Sequence, residues 1–269
     1  MKSLLILLSL VLIASPTSAD DKNKTTEVLV ESEPDPYIQP LAPEDKLLAL
    51  EEYTFKVHHH AFAHYRGTIQ GIDVSHHQGN INWQAVALNP HARYAYIKAT
   101  ENVSLVDKRY YENIREARKA GVLVGSYHFY SPNAATTPQL LNLTRTMPDL
   151  SSQDLIPLID VEIRGRMSLK AFRDNLRQFL IGVEKYYGVK PMIYTGLNFY
   201  NKYLQGAFED YKYMIARYGD EVPDPEGNPK FIIWQYSERG SMPGIRSNVD
   251  LSTFVDNYTL KEILIKDNK

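Results

Sequence analysis

The octapeptide Leu155-Ile156-Pro157-Leu158-Ile159-Asp160-Val161-Glu162 constrains this chain more than any other stretch. Its apolar run reads as a buried strand, and it delivers two carboxylates at its far end. Side chains of a strand alternate faces, so Asp160 and Glu162 point the same way, with Cβ atoms roughly 7 Å apart. Two acids on one face of a buried element lose hydration unless they are neutralised or used. A structural account would make them an ion pair or a solvated strand end. The functional account is a pair doing proton chemistry, and the rest of the chain decides between them.

A chain of 269 residues suits one large domain with an appendage and can bury a sizeable core. The formal net charge of -2 and the absence of any basic cluster exclude a broad nucleic-acid surface, which needs a cationic face. With no cysteine, the sequence has no disulfide, thiolate metal site or cysteine nucleophile. The 19 tyrosines suit a cleft that holds sugars, since each offers a flat apolar ring and a hydroxyl, although many of them will be core or surface.

Residues 1–19 open with Met1-Lys2-Ser3, continue in an apolar block and close with Thr17-Ser18-Ala19, the pattern of a secretory signal cleaved after Ala19. The block is short for a bilayer span, so no stable membrane insertion is expected after cleavage. The expected location is secreted, periplasmic or in the cell envelope. Residues 20–66 read as a linker or N-terminal extension, with prolines, acids and no sustained periodicity. The stretch after Pro43-Glu44-Asp45 offers the start of a short helix. His58, His59, His60 and His64 raise the question of a metal. Consecutive histidines cannot all face one ion and no acid or cysteine completes a ligand set, so no metal and no cofactor is expected.

From Gly67 the texture changes to short apolar runs alternating with amphipathic stretches, as in a parallel sheet covered by helices. Strands are expected at 70–75, 94–99, 122–129, 155–162, 190–195, 213–218, 231–236 and 248–254, a number that suggests closure. Helices are expected at 83–88, 108–120, 137–147 and 169–187, with Gly121 and Gly188 at helix ends. After the fifth strand only 197–204 looks helical, so the last three strands connect without full helices. The domain is placed at 67–260, followed by a C-terminal tail over 261–269.

Asp73 falls on the first strand, Glu101 just after the second, and Asp250 opens the eighth. In a closed parallel barrel the carboxyl ends of the strands surround one mouth, where the active sites of such folds lie. Each acid alone is explained equally well by a loop-bracing hydrogen bond. Four or five of them converging on one mouth is harder to explain that way.

The ordered segments Gly71-Ile72-Asp73-Val74-Ser75-His76-His77-Gln78-Gly79, Ile97-Lys98-Ala99-Thr100-Glu101, Gly125-Ser126-Tyr127-His128-Phe129-Tyr130, Asp160-Val161-Glu162, Ile193-Tyr194-Thr195, Ile215-Ala216-Arg217-Tyr218, Ile233-Trp234-Gln235-Tyr236-Ser237 and Val249-Asp250-Leu251-Ser252 resemble the motifs of glycoside hydrolase family 25, the N-acetylmuramidase lysozymes. One departure is Asn102, where the family usually has glycine. The resemblance implies a modified TIM-type α/β barrel, (β/α)5(β)3. It implies cleavage of the β-1,4 bond from N-acetylmuramic acid to N-acetylglucosamine in peptidoglycan glycan strands. Carried onto this sequence, it makes Glu162 the proton donor and Asp160 the ionised partner. Asp160 then either attacks the anomeric carbon or orients the 2-acetamido group, and the resemblance favours the latter.

Glycosidic cleavage needs one neutral acid and at least one ionised carboxylate, and crowding acids raises the pKa of the most buried. Asp73 and Asp250 are expected to tune that protonation, with Glu101, Tyr127, Tyr194 and Gln235 as substrate contacts. Trp234 and Phe129 fit the core equally well. Two alternatives stand beside this reading. One is a non-catalytic glycan-binding module of the cell wall. The other is a chitinase-like hydrolase, whose longer motif has aspartates where this chain has Leu155 and Leu158. The pattern carries no information on oligomeric state.

Overall fold

The computed structural model describes residues 71–268. The expected signal peptide, the extension over 20–66 and the histidines at 58–60 and 64 lie outside the described residues.

Strand β1 spans Gly71–Val74, followed by helix α1 (Trp83–Leu88), β2 (Tyr94–Glu101) and the two-residue β3 (Leu105–Val106). Then come α2 (Tyr110–Lys119), β4 (Leu123–Phe129), α3 (Thr136–Thr146), β5 (Leu158–Asp160), α4 (Leu169–Tyr187) and β6 (Met192–Gly196). The chain continues through a short helix, Leu197–Phe199, extended by a π-helical turn, Tyr200–Leu204, into β7 (Lys212–Ala216), β8 (Lys230–Gly240) and β9 (Val249–Phe254). The sheet runs β1-β9-β8-β7-β6-β5-β4-β2-β3, and β1 also pairs with β2, which closes an eight-stranded barrel with β3 as an outlying edge. Pairings from β1–β2 round to β7–β8 are parallel, whereas β9 is antiparallel to both β8 and β1. This is the expected (β/α)5(β)3 plan, and the last strands do connect without full helices.

The longest helix shows why local sequence suffices for these elements. In α4, Phe172, Leu176, Phe179, Leu180 and Val183 repeat at helical spacing and are fully buried against the barrel. Each such side chain contributes about 1.5–3 kcal/mol by leaving water. Ser168 caps the start by accepting from the Ala171 amide at 3.2 Å. Gly188, at φ 71°, ends it in the left-handed conformation with its amide on the Glu184 carbonyl.

Inside the barrel, two tyrosines form a floor. Tyr94 and Tyr96 are fully buried, and their rings occupy the space above two glycines. A Cβ on Gly71 would lie 2.2 Å from the Tyr94 ring and one on Gly125 would lie 2.5 Å from the Tyr96 ring, so only glycine fits either position. Both hydroxyls are bonded, Tyr94 with Ser252 and Tyr96 to the Ile156 carbonyl, each at 3.2 Å.

Two expectations change. The strand expected over 155–162 narrows to Leu158–Asp160, because the backbone ahead of it pairs elsewhere. The Ile156 amide donates to the Ile263 carbonyl at 2.8 Å, and the Ile265 amide donates to the Asp154 carbonyl at 2.9 Å. The segment expected as a tail from 261 is accordingly docked, with Ile263, Leu264 and Ile265 buried in the core. It braces the residues that lead into β5.

Candidate active site

The site is assembled at the carboxyl ends of the parallel strands. β1 carries Asp73, β4 Tyr127, β5 Asp160, β6 Tyr194, β8 Gln235 and the start of β9 Asp250. Register fixes their neighbours: Asp73 lies opposite Asp250 on the antiparallel β1–β9 pair, and Asp160 lies opposite Tyr194 on the parallel β5–β6 pair. These six and Glu162 line one cavity of about 210 Å³, together with Leu158, Tyr218 and Glu238.

The chain leaves the sheet after Asp160, but it is held firmly on the way to Glu162. The Val161 amide donates to the Tyr194 carbonyl at 2.9 Å, and the Val161 carbonyl accepts from the Thr195 hydroxyl at 2.8 Å. The Asp160 carbonyl accepts from the Tyr130 amide at 2.9 Å. Both acids therefore face one cavity, as a continuous strand would have placed them. They differ in depth, for Asp160 is buried and Glu162 stands exposed at the rim.

A relay of side chains ties the opposite wall together. Gln235, buried, donates through Nε2 to Asp73 Oδ2 at 3.0 Å and accepts through Oε1 from the hydroxyls of Tyr194 at 2.9 Å and Tyr218 at 3.3 Å. The second oxygen of Asp73 and Oδ1 of Asp160 are buried and have no hydrogen-bond partner among the described residues. A buried, unpartnered carboxyl oxygen costs about 1–3 kcal/mol, and such groups concentrate where a ligand supplies the missing donor.

Burial and crowding raise the affinity of this cluster for protons. Desolvation, with the charge of Asp250, lifts the Asp73 pKa to about 8 against the opposing pull of the Gln235 hydrogen bond. Burial and the neighbouring Glu238 and Glu162 bring Asp250 to about 6. Asp160 is pushed well above the ordinary carboxylate range, first by burial and then by Glu162, with the Lys98 ammonium pulling the other way. Glu162 is raised by partial burial and lowered by Lys98. Both members of the pair are thus held above the ordinary carboxylate range, and burial is the first cause in each.

Six of the expected residues besides Asp160 and Glu162 were tied to this mouth, and all but one line the cavity. Glu101 stands off it, accepting from Lys98 Nζ at 2.6 Å, and reaches Asp160 only through its charge. Trp234 is core, with its indole N–H on the Arg217 carbonyl at 2.8 Å. Sequence reasoning missed Tyr218 and Glu238. Tyr218 lay inside a quoted motif without being singled out, and Glu238 is brought round by register shifts in β8 that no letter pattern marks.

A closed α/β barrel whose mouth gathers buried and rim carboxylates with tyrosine hydroxyls is the architecture of a glycoside hydrolase. The family model of glycosyl hydrolases family 25 matches residues 72–245. The chain is 40% identical over 200 residues to YegX, an uncharacterized protein of Escherichia coli strain K12, covering 73% of this chain and 72% of that one. It is 31% identical over 199 residues to lysozyme M1 of Streptomyces globisporus, covering 69% and 67%. The crystal structure of the bacterial lysozyme from Streptomyces coelicolor superposes with a TM-score of 0.64 at 30% identity, over 71% of this chain and 93% of that one. The chain belongs to glycosyl hydrolases family 25, as a glycoside hydrolase of the lysozyme type. No helix among the described residues is long and apolar enough to cross a membrane.

Proposed function

We propose that this protein hydrolyses the β-1,4 bond between N-acetylmuramic acid and N-acetylglucosamine in peptidoglycan, acting in the cell envelope or outside the cell after removal of residues 1–19. The observation that carries this reading is the difference in depth between two carboxyls on one cavity: Glu162 at the open rim, and Asp160 buried with an oxygen that lacks a donor.

Roles follow from that difference. The rim position gives Glu162 access to the glycosidic oxygen of a strand lying across the mouth. Asp160 is placed to accept from the N–H of a 2-acetamido group through its unpartnered Oδ1. Such a hydrogen bond favours the ionised form of Asp160, which leaves the pair's shared proton to Glu162. Glu162 then protonates the leaving oxygen while Asp160, stripped of water, stabilises the positive charge that develops beside it. The acetamido oxygen closes on the anomeric carbon as the bond to the leaving group breaks, and water later opens the ring so formed, with net retention. Asp73 keeps the cluster's negative charge in check by holding a proton up to about pH 8, and Asp250 does so below about pH 6. Tyr127, Tyr194 and Gln235 present hydroxyl and carboxamide groups to the sugar.

Digestion of purified peptidoglycan followed by mass spectrometry of the fragments tests the reading. Disaccharide-peptides with muramic acid at the reducing end are the expected products. Fragments ending in N-acetylglucosamine would reject the bond assignment, and bound but intact glycan would establish a binding module instead.

A further inference from the structure

A second and larger depression lies beside the acid-lined cavity, and nothing in the reaction above uses it. Its volume is about 800 Å³, and its walls are the loop after β1 and the segment that leads into β9. The first wall begins four residues after Asp73 and the second ends three residues before Asp250, so it adjoins the mouth on the side of those two acids.

The walls are locked to each other through backbone. The Asn82 amide donates to the Gly244 carbonyl at 2.9 Å, and Gln78 Nε2 donates to the Asn248 carbonyl at 3.2 Å. A Cβ on Gly244 would lie 2.3 Å from the Asn82 carbonyl oxygen, which leaves no room for any other residue at that crossing. Below, the His76 amide and ring both bond Asp107, at 3.0 and 2.6 Å, and the His77 ring stacks on that of His76 at 4.0 Å. This is a preformed recess.

Its chemistry is the reverse of the mouth's. The catalytic cavity is walled by five acids, Asp73, Asp160, Glu162, Glu238 and Asp250, and no lysine, arginine or histidine lines it to receive an anionic substituent. The recess is lined by no acid: its polar side chains are Gln78, Asn80, Asn82, Ser247, His77 and Arg246, and Ile81 and Ile245 supply apolar wall between them. Among the described residues no carboxylate pairs with Arg246, whereas Lys98 at the mouth is held by Glu101. A guanidinium with its donors free is suited to a carboxylate, and the amide nitrogens of Asn80 and Asn82, whose oxygens accept from Arg109 and the Ala85 amide, are suited to peptide carbonyls.

We infer that this recess binds the carboxylate-bearing peptide stem of the muramic acid residue, with Arg246 as the residue that selects stem-bearing glycan. The inference rests on the muramidase reading for the identity of the chain that enters the mouth. It makes the enzyme a reader of peptide as well as sugar.

The test is an equilibrium binding measurement that needs no turnover. The full-length protein is titrated with the disaccharide N-acetylglucosaminyl-N-acetylmuramic acid carrying a tripeptide stem, and with the bare disaccharide, its lactyl carboxyl capped as a simple amide in place of the peptide. The stem is expected to tighten binding about tenfold, the scale of one charge-assisted hydrogen-bonded pair. Arg246→Ala is expected to abolish that preference without altering affinity for the bare disaccharide, and Arg246→Lys to keep part of it. Equal affinity of the parent for both ligands, or a preference that survives Arg246→Ala, would overturn the inference. A parent that shows the Arg246-dependent preference yet cleaves no peptidoglycan supports the recess and refutes the muramidase reading alone.

Discussion

Replacing Asp73 with asparagine should make the protein more stable at neutral and alkaline pH, and the gain should vanish in acid. Asp73 is buried with a pKa raised from 3.8 to about 8, so the folded state holds a proton that the unfolded chain releases. A carboxyl raised in the folded state contributes its full stability below the unfolded value and loses it as pH climbs to the folded one. Within that window each pH unit removes about 1.4 kcal/mol, so the step from pH 5 to pH 7 amounts to about 2.7 kcal/mol from this group. Asparagine has the shape of the protonated acid, and its carbonyl oxygen accepts from Gln235 as Asp73 Oδ2 does at 3.0 Å. The variant lacks the titration, so its advantage over the parent should grow by roughly that amount between the two pH values. The assay is urea denaturation of both proteins at pH 5, 6, 7 and 8. A difference that stays flat across this range, or parent stability that rises with pH relative to the variant, would refute the electrostatic picture of the cluster.

Asp160→Asn should lower turnover of peptidoglycan by roughly a thousandfold, because the charge that stabilises the transition state is removed. Asp250→Asn should cost less, and the reverse order in steady-state kinetics would show the roles misassigned. Lys98→Met should move the pH profile of kcat/KM upward, since Lys98 holds down the pKa of both Asp160 and Glu162. Unmoved limbs would exclude Lys98 from the electrostatics of the site. Gly125→Ala should destabilise the protein by about 1–3 kcal/mol, because the new methyl lies 2.5 Å from the Tyr96 ring and 2.9 Å from Leu155 Cβ. Unchanged denaturation would mean that the tyrosine floor yields more readily than close packing allows.

Much of this was legible in the letters. Alternation of short apolar runs with amphipathic stretches marked eight strands and four helices, and Ser168 and Gly188 bracket α4 as capping chemistry requires. Acids at otherwise apolar strand ends marked the mouth, because a buried carboxyl demands a reason. Depth was not legible: the pleat puts Asp160 and Glu162 on one side, but the chain leaves the sheet between them, and only their surroundings separate a buried carboxyl from a rim one. Glu101 followed the same pattern as the other acids, yet Lys98, three residues earlier, takes it out of the cavity wall. Tyr218 and Glu238 depend on how β7 and β8 end, and register shifts in β8 are set by partners distant in sequence. The docking of residues 260–267 had a signal in the apolar run Ile263-Leu264-Ile265, which a solvated tail has no use for.

The account turns on the proton carried by Glu162, and Glu162→Gln isolates it while preserving shape. The parent and the variant, shown by denaturation to be equally folded, are incubated with purified peptidoglycan, and new reducing ends are reduced with borohydride and counted as muramitol. The parent should release muramitol steadily, and the variant should bind the glycan yet release at least a thousandfold less. Release by the variant within tenfold of the parent would contradict the central claim.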